Sequence, residues 1–305
     1  MIGKRKSIAV GAVLLAFCTI VAMSAQFLPD KAEANSVVSK NCLRITWFNV
    51  GPGDSILIRT PHNKVVLVDG GLPGYGPGIV KKLKGMGISR IDYMISTHLH
   101  DDHVGGLINV AKAFPVGQFW YSQGPSYKKS KLSKKLMKTI KARKIKRVKG
   151  KRGKTIKLDG VTLKFVQDKK KYKSAKTNDR GNMGSLAIYI TYGKRTALLT
   201  GDNMKKSLPK MERHNVELMD HPHHGAGGKK ATTPQFYKWF DPEYVVVSAD
   251  GHTWGHPGVE TFRNLRAYDP NILVFRTDKL GDITATATAT GWVFDKTGQK
   301  PAKYC

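Results

Sequence analysis

Apolar positions along this chain switch between short strand-like runs and helix-like repeats. Leu43–Val50, Ser55–Arg59 and Lys64–Asp69 are β-rich runs parted by Gly, Pro and Asn turn signals. The spacing predicts a helix over Pro77–Gly87, a strand over Ile91–Thr97, a helix over Val104–Ala113 and an extended run at Gln118–Ser122. The second half repeats the alternation. Ser185–Tyr192 and Arg195–Thr200 read as a hairpin around Gly193, and Val216–Met219 as a short strand. Helices at Thr233–Phe240 and Gly258–Ala267 flank the strand Tyr244–Ser248, and Asn271–Arg276, Asp282–Thr288 and Gly291–Phe294 finish in β. Strands in two groups, with helices between and outside them, predict a layered α/β sandwich. No repeat or low-complexity linker divides residues 42–296, so these read as one domain, preceded by a short linker at 35–41 and followed by a C-terminal tail at 297–305.

The first segment follows a different logic. Lys4, Arg5 and Lys6 precede an apolar run from Ile8 to Met23, and Ala32-Glu33-Ala34 offers a small-residue cleavage site before Asn35. Residues 1–34 therefore read as a signal peptide, with an uncleaved membrane anchor as the alternative. Either way the domain is expected outside the cytoplasm, free or associated with the cell wall. Cys18 would leave with the signal, and the bulky Phe17 before it argues against lipid attachment. Cys42 and Cys305 remain at opposite ends, and a disulfide between them or two separate thiols are equally open.

Charge changes the picture further. The chain has 52 basic and 22 acidic residues, a formal net charge of +30, and removal of the four basic and two acidic residues of 1–34 leaves +28. A field of that sign concentrates polyanions. Nucleic acid and anionic wall polymers are the candidate partners; nothing in the sequence calls for an obligate protein partner. Lys128–Lys157 holds 16 Lys or Arg among 30 residues and no acid. Within it Leu132, Leu136 and Ile140 recur every four residues, predicting a helix that docks by one apolar stripe and turns its cations outward.

The candidate chemistry sits at strand ends. Eight of ten histidines fall in three clusters. Thr97-His98-Leu99-His100-Asp101-Asp102-His103 follows a strand, and His98 and His100, two apart in extended backbone, point the same way and can grip one ion. Asp102 and His103, past the bend, reach a second. Leu198-Leu199-Thr200-Gly201-Asp202 delivers a carboxylate at the end of an apolar strand, a suitable place for an oxygen shared by two ions. His221-Pro222-His223-His224-Gly225 and His252-Thr253-Trp254-Gly255-His256-Pro257 complete the series. Imidazole with carboxylate suits Zn²⁺, with Mn²⁺ open where oxygen dominates.

These motifs resemble the metallo-β-lactamase superfamily, and more closely the extracellular hydrolase domain of the DNA-uptake competence protein ComEC. The resemblance rests on Gly51-Pro52-Gly53-Asp54-Ser55, Asp69-Gly70-Gly71, His98 to His103, Asn182 with Ser185, Thr200-Gly201-Asp202, His223-His224-Gly225 and Gly255-His256-Pro257, spread in order over residues 42–296. It implies an αββα sandwich and a metal-dependent hydrolase. His98 and His100 would hold one ion, Asp102 and His224 the other, with Asp202 bridging and His103 completing the set. His223 is the alternative ligand of its pair. Asp102, His223 and His256 are the candidate catalytic residues, and His221, His252 and Asn182 the candidate phosphate contacts. Asp54 and Asp69 would orient loops. The sequence departs from the pattern at Pro52, where glutamine is usual, and at Asn182, near a common third-motif histidine, which predicts that one of two ions is weakly held or absent. No counterpart of ComEC's channel-forming region is found, so DNA transport by the chain itself is not expected.

A secreted phosphodiesterase acting on DNA or RNA is therefore the leading expectation. Hydrolysis of wall or small-molecule phosphodiesters is the second, and a non-catalytic polyanion binder the third.

Overall fold

The computed structural model describes residues 41–122, 130–167 and 177–304, with backbone only at 177–178. The expected signal segment, Tyr127 to Lys129 and Cys305 lie outside these residues, so neither the signal nor a Cys42–Cys305 pair is described. No helix among the described residues is long and apolar enough to cross a membrane.

The first half supplies β1 (Arg44–Trp47), β2 (Ile56–Arg59), β3 (Val65–Val68), β4 (Ile91–Ser96), β5 (Val116–Tyr121) and β6 (Lys146–Lys149). The second half supplies β7 (Thr155–Leu158), β8 (Val161–Phe165), β9 (Ile188–Tyr192), β10 (Arg195–Leu199), β11 (Leu218–Asp220), β12 (Tyr244–Val247) and β13 (Leu273–Arg276). The chain then returns to the first sheet with β14 (Ile283–Ala287) and β15 (Trp292–Phe294). The two sheets run β15-β14-β1-β2-β3-β4-β5-β6 and β13-β12-β11-β10-β9-β8-β7.

Three hydrophobic cores separate four layers. Trp47, Ile45, Phe165, Ile188 and Val246 belong to the core joining strands of both sheets. Leu57, Leu67, Met94 and Phe119 pack on Ile79, Leu83, Leu107, Leu136 and Ile140 of helices α1 (Gly76–Gly85), α3 (Leu107–Ala113) and α4 (Lys131–Ala142), with the single turn α2 (Asp101–Val104) at the strand end. Leu198, Met219 and Val247 pack on Phe236, Phe240, Phe262 and Leu265 of α6 (Pro234–Phe240) and α7 (Val259–Tyr268), which follow the short α5 (Thr177–Asn182). This is the αββα sandwich the motifs implied. β3, reading Val-Val-Leu-Val, is buried on both faces because Val66 and Val68 enter the core between the sheets and Val65 and Leu67 the core under the helices.

Two expectations needed revision. The basic segment is not one helix: α4 ends at Ala142, and the chain continues as β6 and β7, the outermost strands of the two sheets. The apolar stripe behaves as expected, with Leu136 and Ile140 buried and Leu132 half-buried, while lysines on the edge strands oppose edge-to-edge association. The residues set apart as a tail join the domain instead. Gln299 bridges Val274, and the Tyr304 ring lies 4.8 Å from that of Phe262.

Direction of the strands positions the site. β3, β4 and β5 are mutually parallel, as are β10, β11, β12 and β13. Loops after parallel strands leave from the same sheet edge. The ends of β3, β4, β10, β11 and β12 thus deliver residues 69, 97–103, 202, 221–224 and 250–256.

Candidate metal centre

Asp69 organises the centre without facing it. Its carboxylate accepts from the Thr97 amide at 2.8 Å, the Thr97 hydroxyl at 2.6 Å and His103 Nδ1–H at 2.9 Å. Thr97 Oγ1, having donated its proton, accepts from His98 Nδ1–H at 3.2 Å. As neutral rings both imidazoles are thereby oriented with the proton on Nδ1 and Nε2 turned toward a ligand, the arrangement metal-binding histidines require. His224 Nδ1 donates to the Ser248 carbonyl at 3.1 Å and presents Nε2 in the same way.

Two donor sets share Asp202. His103 Nε2 and His224 Nε2 lie 3.3 Å apart, each 3.2 Å from Asp202 Oδ1 and 3.7 Å from Asp102 Oδ2. Donors this close together could share one divalent ion. Asp54, His103, Asp202 and His224 also group within 4.8 Å, but Asp54 approaches the Nδ1 atoms of His103 and His224, at 3.8 and 3.5 Å. Those nitrogens are already committed to Asp69 and Ser248, so Asp102 is the better fourth ligand and Asp54 stands behind the rings.

On the other side His98, His100 and Asp202 form a second group within 4.8 Å, with His98 Nε2 3.5 Å from Asp202 Oδ2. The Nε2 atoms of His98 and His100 are buried with no hydrogen-bond partner. A buried polar nitrogen left unpaired is costly, and an ion coordinated there would remove that cost. The residues fit a divalent metal, and Asp202 belongs to both candidate donor groups.

Charge agrees with the geometry. Burial opposes a proton on His103, yet Asp202, Asp102 and Asp69 hold its affinity well above the ordinary imidazole value. Burial likewise opposes charge on His224, and Asp202 with Asp54 push it up to about 10. Burial would raise Asp202, but His103 and His224 pull it well below the carboxylate range. Without an ion this half of the centre gathers protons: it is built for positive charge. On the other side burial prevails and holds His98 well below, and His100 below, the usual value.

Backbone strain marks the same loops. His223 and His224 are consecutive non-glycine residues at φ 52° and 53°, each costing on the order of 1–3 kcal/mol that the surroundings must hold. Gly225 follows at φ 75°, where a Cβ would meet that of Pro257 at 2.6 Å. Ligand loops after β11 and β12 are therefore locked together.

The remaining expected residues divide. Asn182 Nδ2 donates to His223 Nε2 at 3.0 Å, and that nitrogen lies 3.7 Å from Asp202 Oδ2, so both border the His98/His100 half. The His256 ring is 5.4 Å from that of His223. His221 does not reach the centre: it is buried, with Nδ1 donating to the Pro222 carbonyl at 2.9 Å and Nε2 accepting from the Tyr237 hydroxyl at 2.7 Å. It braces the loop from behind, which corrects its assignment as a phosphate contact. His252 sits on an exposed turn and is not brought into the cluster. One participant was missed: Asp220, buried at the end of β11, accepts from Trp47 Nε1 at 2.9 Å, and burial with the neighbouring Asp54 raises its carboxyl well above the usual range. A carboxylate between Met219 and His221 at a strand end was the available signal.

Residues 48–277 match the metallo-beta-lactamase superfamily, and the chain belongs to it. Within that class it is similar to competence protein ComA of Neisseria gonorrhoeae, 25% identical over 267 residues covering 86% of this chain and 34% of that protein. It is also similar to ComE operon protein 3 of Bacillus subtilis (strain 168), 23% identical over 263 residues covering 78% of this chain and 32% of that protein. The chain thus spans about a third of the length of these relatives. Among solved structures, CmlA, a diiron beta-hydroxylase from Streptomyces venezuelae, shares the fold at TM-score 0.53 and 16% identity, covering 81% of this chain and 54% of CmlA.

Proposed function

We propose that this chain is a metal-dependent phosphodiesterase whose substrate is nucleic acid, acting outside the cytoplasm. The observation that carries the reading is Asp202, whose two oxygens serve two histidine-rich donor sets. Its competence-protein relatives and the cationic flank of α4, β6 and β7 support the choice of polymer. Ser130, capping the N-terminus of α4, donates to Asp101 in the ligand motif, so the basic helix starts at the centre.

His98, His100 and Asp202 would hold one ion, and Asp102, His103, His224 and Asp202 the other. Zn²⁺ is the proposed metal, with Mn²⁺ the alternative. Such ions, when bound, supply hydroxide near neutral pH and offset charge on phosphoryl oxygens. The protein's own groups do the rest. Burial holds His223 down at about 3, and His256 below the ordinary value, so at neutral pH both are uncharged. They serve as hydrogen-bonding groups for a phosphoryl oxygen rather than as strong acids. Asn182 fixes the orientation of His223.

The test is cleavage of linear DNA, RNA and bis(p-nitrophenyl) phosphate by the purified domain with Zn²⁺ or Mn²⁺, beside Asp102→Ala. Metal-dependent cleavage of a polymer, lost in the variant, is expected. Cleavage of only the small ester would move the substrate to small-molecule or wall phosphodiesters, and binding without turnover would leave a polyanion-binding protein. Affinity for nucleic acid should also drop by about 10³-fold between 50 and 200 mM salt if several phosphates are contacted.

A further inference from the structure

Exposed large aromatic side chains are few among the described residues, and two stand on loops that border the centre. Trp254 is 61% exposed and Tyr75 39%. Trp254 stands two residues before His256, whose ring meets His223. Its loop is not slack. The Asp250 carboxylate accepts from the His252 and Thr253 amides at 3.0 and 2.9 Å and from the Thr253 hydroxyl at 2.5 Å. Gly258 donates to the Gly225 carbonyl at 2.8 Å, tying the loop to the His223-His224 turn. Within this fixed frame Trp254 takes a left-handed backbone, φ 58°. An indole held at that conformation and still turned to water gains nothing from packing.

Tyr75 adjoins the opposite half. A Cβ at Gly51 would meet the Tyr75 hydroxyl at 2.2 Å, and one at Gly53 would meet the Asp102 carbonyl at 2.1 Å. The Gly51–Gly53 turn therefore lies between the phenol and the Asp102 backbone. Cations complete the surroundings: Lys229 and Lys230 are exposed on the turn after His224, with Lys230 Nζ 3.7 Å from Asp179. Aromatic faces beside cations are how single-stranded nucleic acid is held, bases stacked and phosphates neutralised.

We infer that Trp254, with Tyr75, stacks on nucleobases next to the scissile phosphate, so that the centre takes base-bearing phosphodiesters in preference to base-free polymers of equal charge. The inference rests on the phosphodiesterase reading for its scissile bond but not for its recognition. Net charge and lysine tracks attract any polyanion, whereas a flat π surface favours a nucleic acid strand over a base-free wall polymer.

The experiment compares binding of the metal-loaded protein to two fluorescein-labelled phosphorothioate oligomers of equal length, one oligothymidylate and one abasic, by anisotropy at fixed salt. The oligothymidylate should bind about 5- to 150-fold more tightly, the range expected from one stacked base. Trp254→Ala should erase most of that preference without changing affinity for the abasic oligomer, and Trp254→Phe should restore much of it. Equal affinity of the wild type for both oligomers overturns the inference. So does a Trp254→Ala variant that weakens both alike. Turnover of bis(p-nitrophenyl) phosphate is read in parallel. Turnover without base preference sinks only the stacking role, whereas base preference without turnover of any phosphodiester sinks only the phosphodiesterase reading.

Discussion

In the Asp102/His103/His224 half of the centre carboxylates outweigh burial and draw both imidazoles toward charge, whereas in the His98/His100 half burial prevails and both stay neutral. The first half has four facing donors at 3.2–3.7 Å. The second has three within 4.8 Å, with Asn182 and His223 hydrogen-bonded to each other at its border. Negative charge already placed favours a cation, so the first half should load first and hold harder. Asp202 joins these two unequal halves.

Asp202→Ala should have the largest effect, because it removes the residue common to both halves. Metal content should fall from two ions per chain to one or none, and turnover by about 10³-fold or more, as when one member of a catalytic unit is deleted. Atomic emission on dialysed protein and a bis(p-nitrophenyl) phosphate assay measure both. Asp69→Asn comes next. It loses the acceptor that fixes His103 directly and His98 through Thr97, and metal affinity should drop by about 10–100-fold, the loss being greater in the Asp102 half. Asn182→His should narrow the gap from the other side, adding a nitrogen to the weaker half and tightening its ion by about tenfold.

pH separates the halves without any ion. In metal-free protein His224 is raised to about 10 from an unfolded value of about 6.5. Its contribution to stability is complete below about 6.5 and disappears as pH rises through about 10. His223 is depressed to about 3, so its contribution is complete above about 6.5 and is lost as pH falls toward 3. Urea midpoints in chelator should fall on both limbs. His224→Gln should make the alkaline limb shallower, with His103 still contributing, and leave the acid limb; His223→Gln should make the acid limb shallower, with His98 still contributing, and leave the alkaline one. A profile in which either substitution flattens both limbs would remove the distinction.

Most of this centre could be read before any coordinates, because histidines and aspartates gathered at strand ends have few other uses. A layered α/β sandwich was legible because strand runs such as Lys64–Asp69 and helix repeats such as Val104–Ala113 carry different periods, while the four-layer order came from the family resemblance. β6 and β7 were hidden because basic residues occupy their outward positions, and Lys146-Arg147-Val148-Lys149 reads as charge before it reads as alternation, whereas β8, Val-Thr-Leu-Lys-Phe, alternates plainly. The role of His221 depends on Tyr237, sixteen positions away and on another element, and local spacing has no access to such a partner. Asp102 and Asp54 both come close to His103 and His224, and only the directions of the imidazole rings show which nitrogens each one faces.

Competitive chelator titration with Zn²⁺ bears most directly on the shared carboxylate. Two ions per chain, taken up in steps at least about tenfold apart, are expected, with Asp102→Ala abolishing the tighter step and His100→Ala the weaker. A single ion, lost equally in both variants, would contradict a centre built from two donor sets around Asp202.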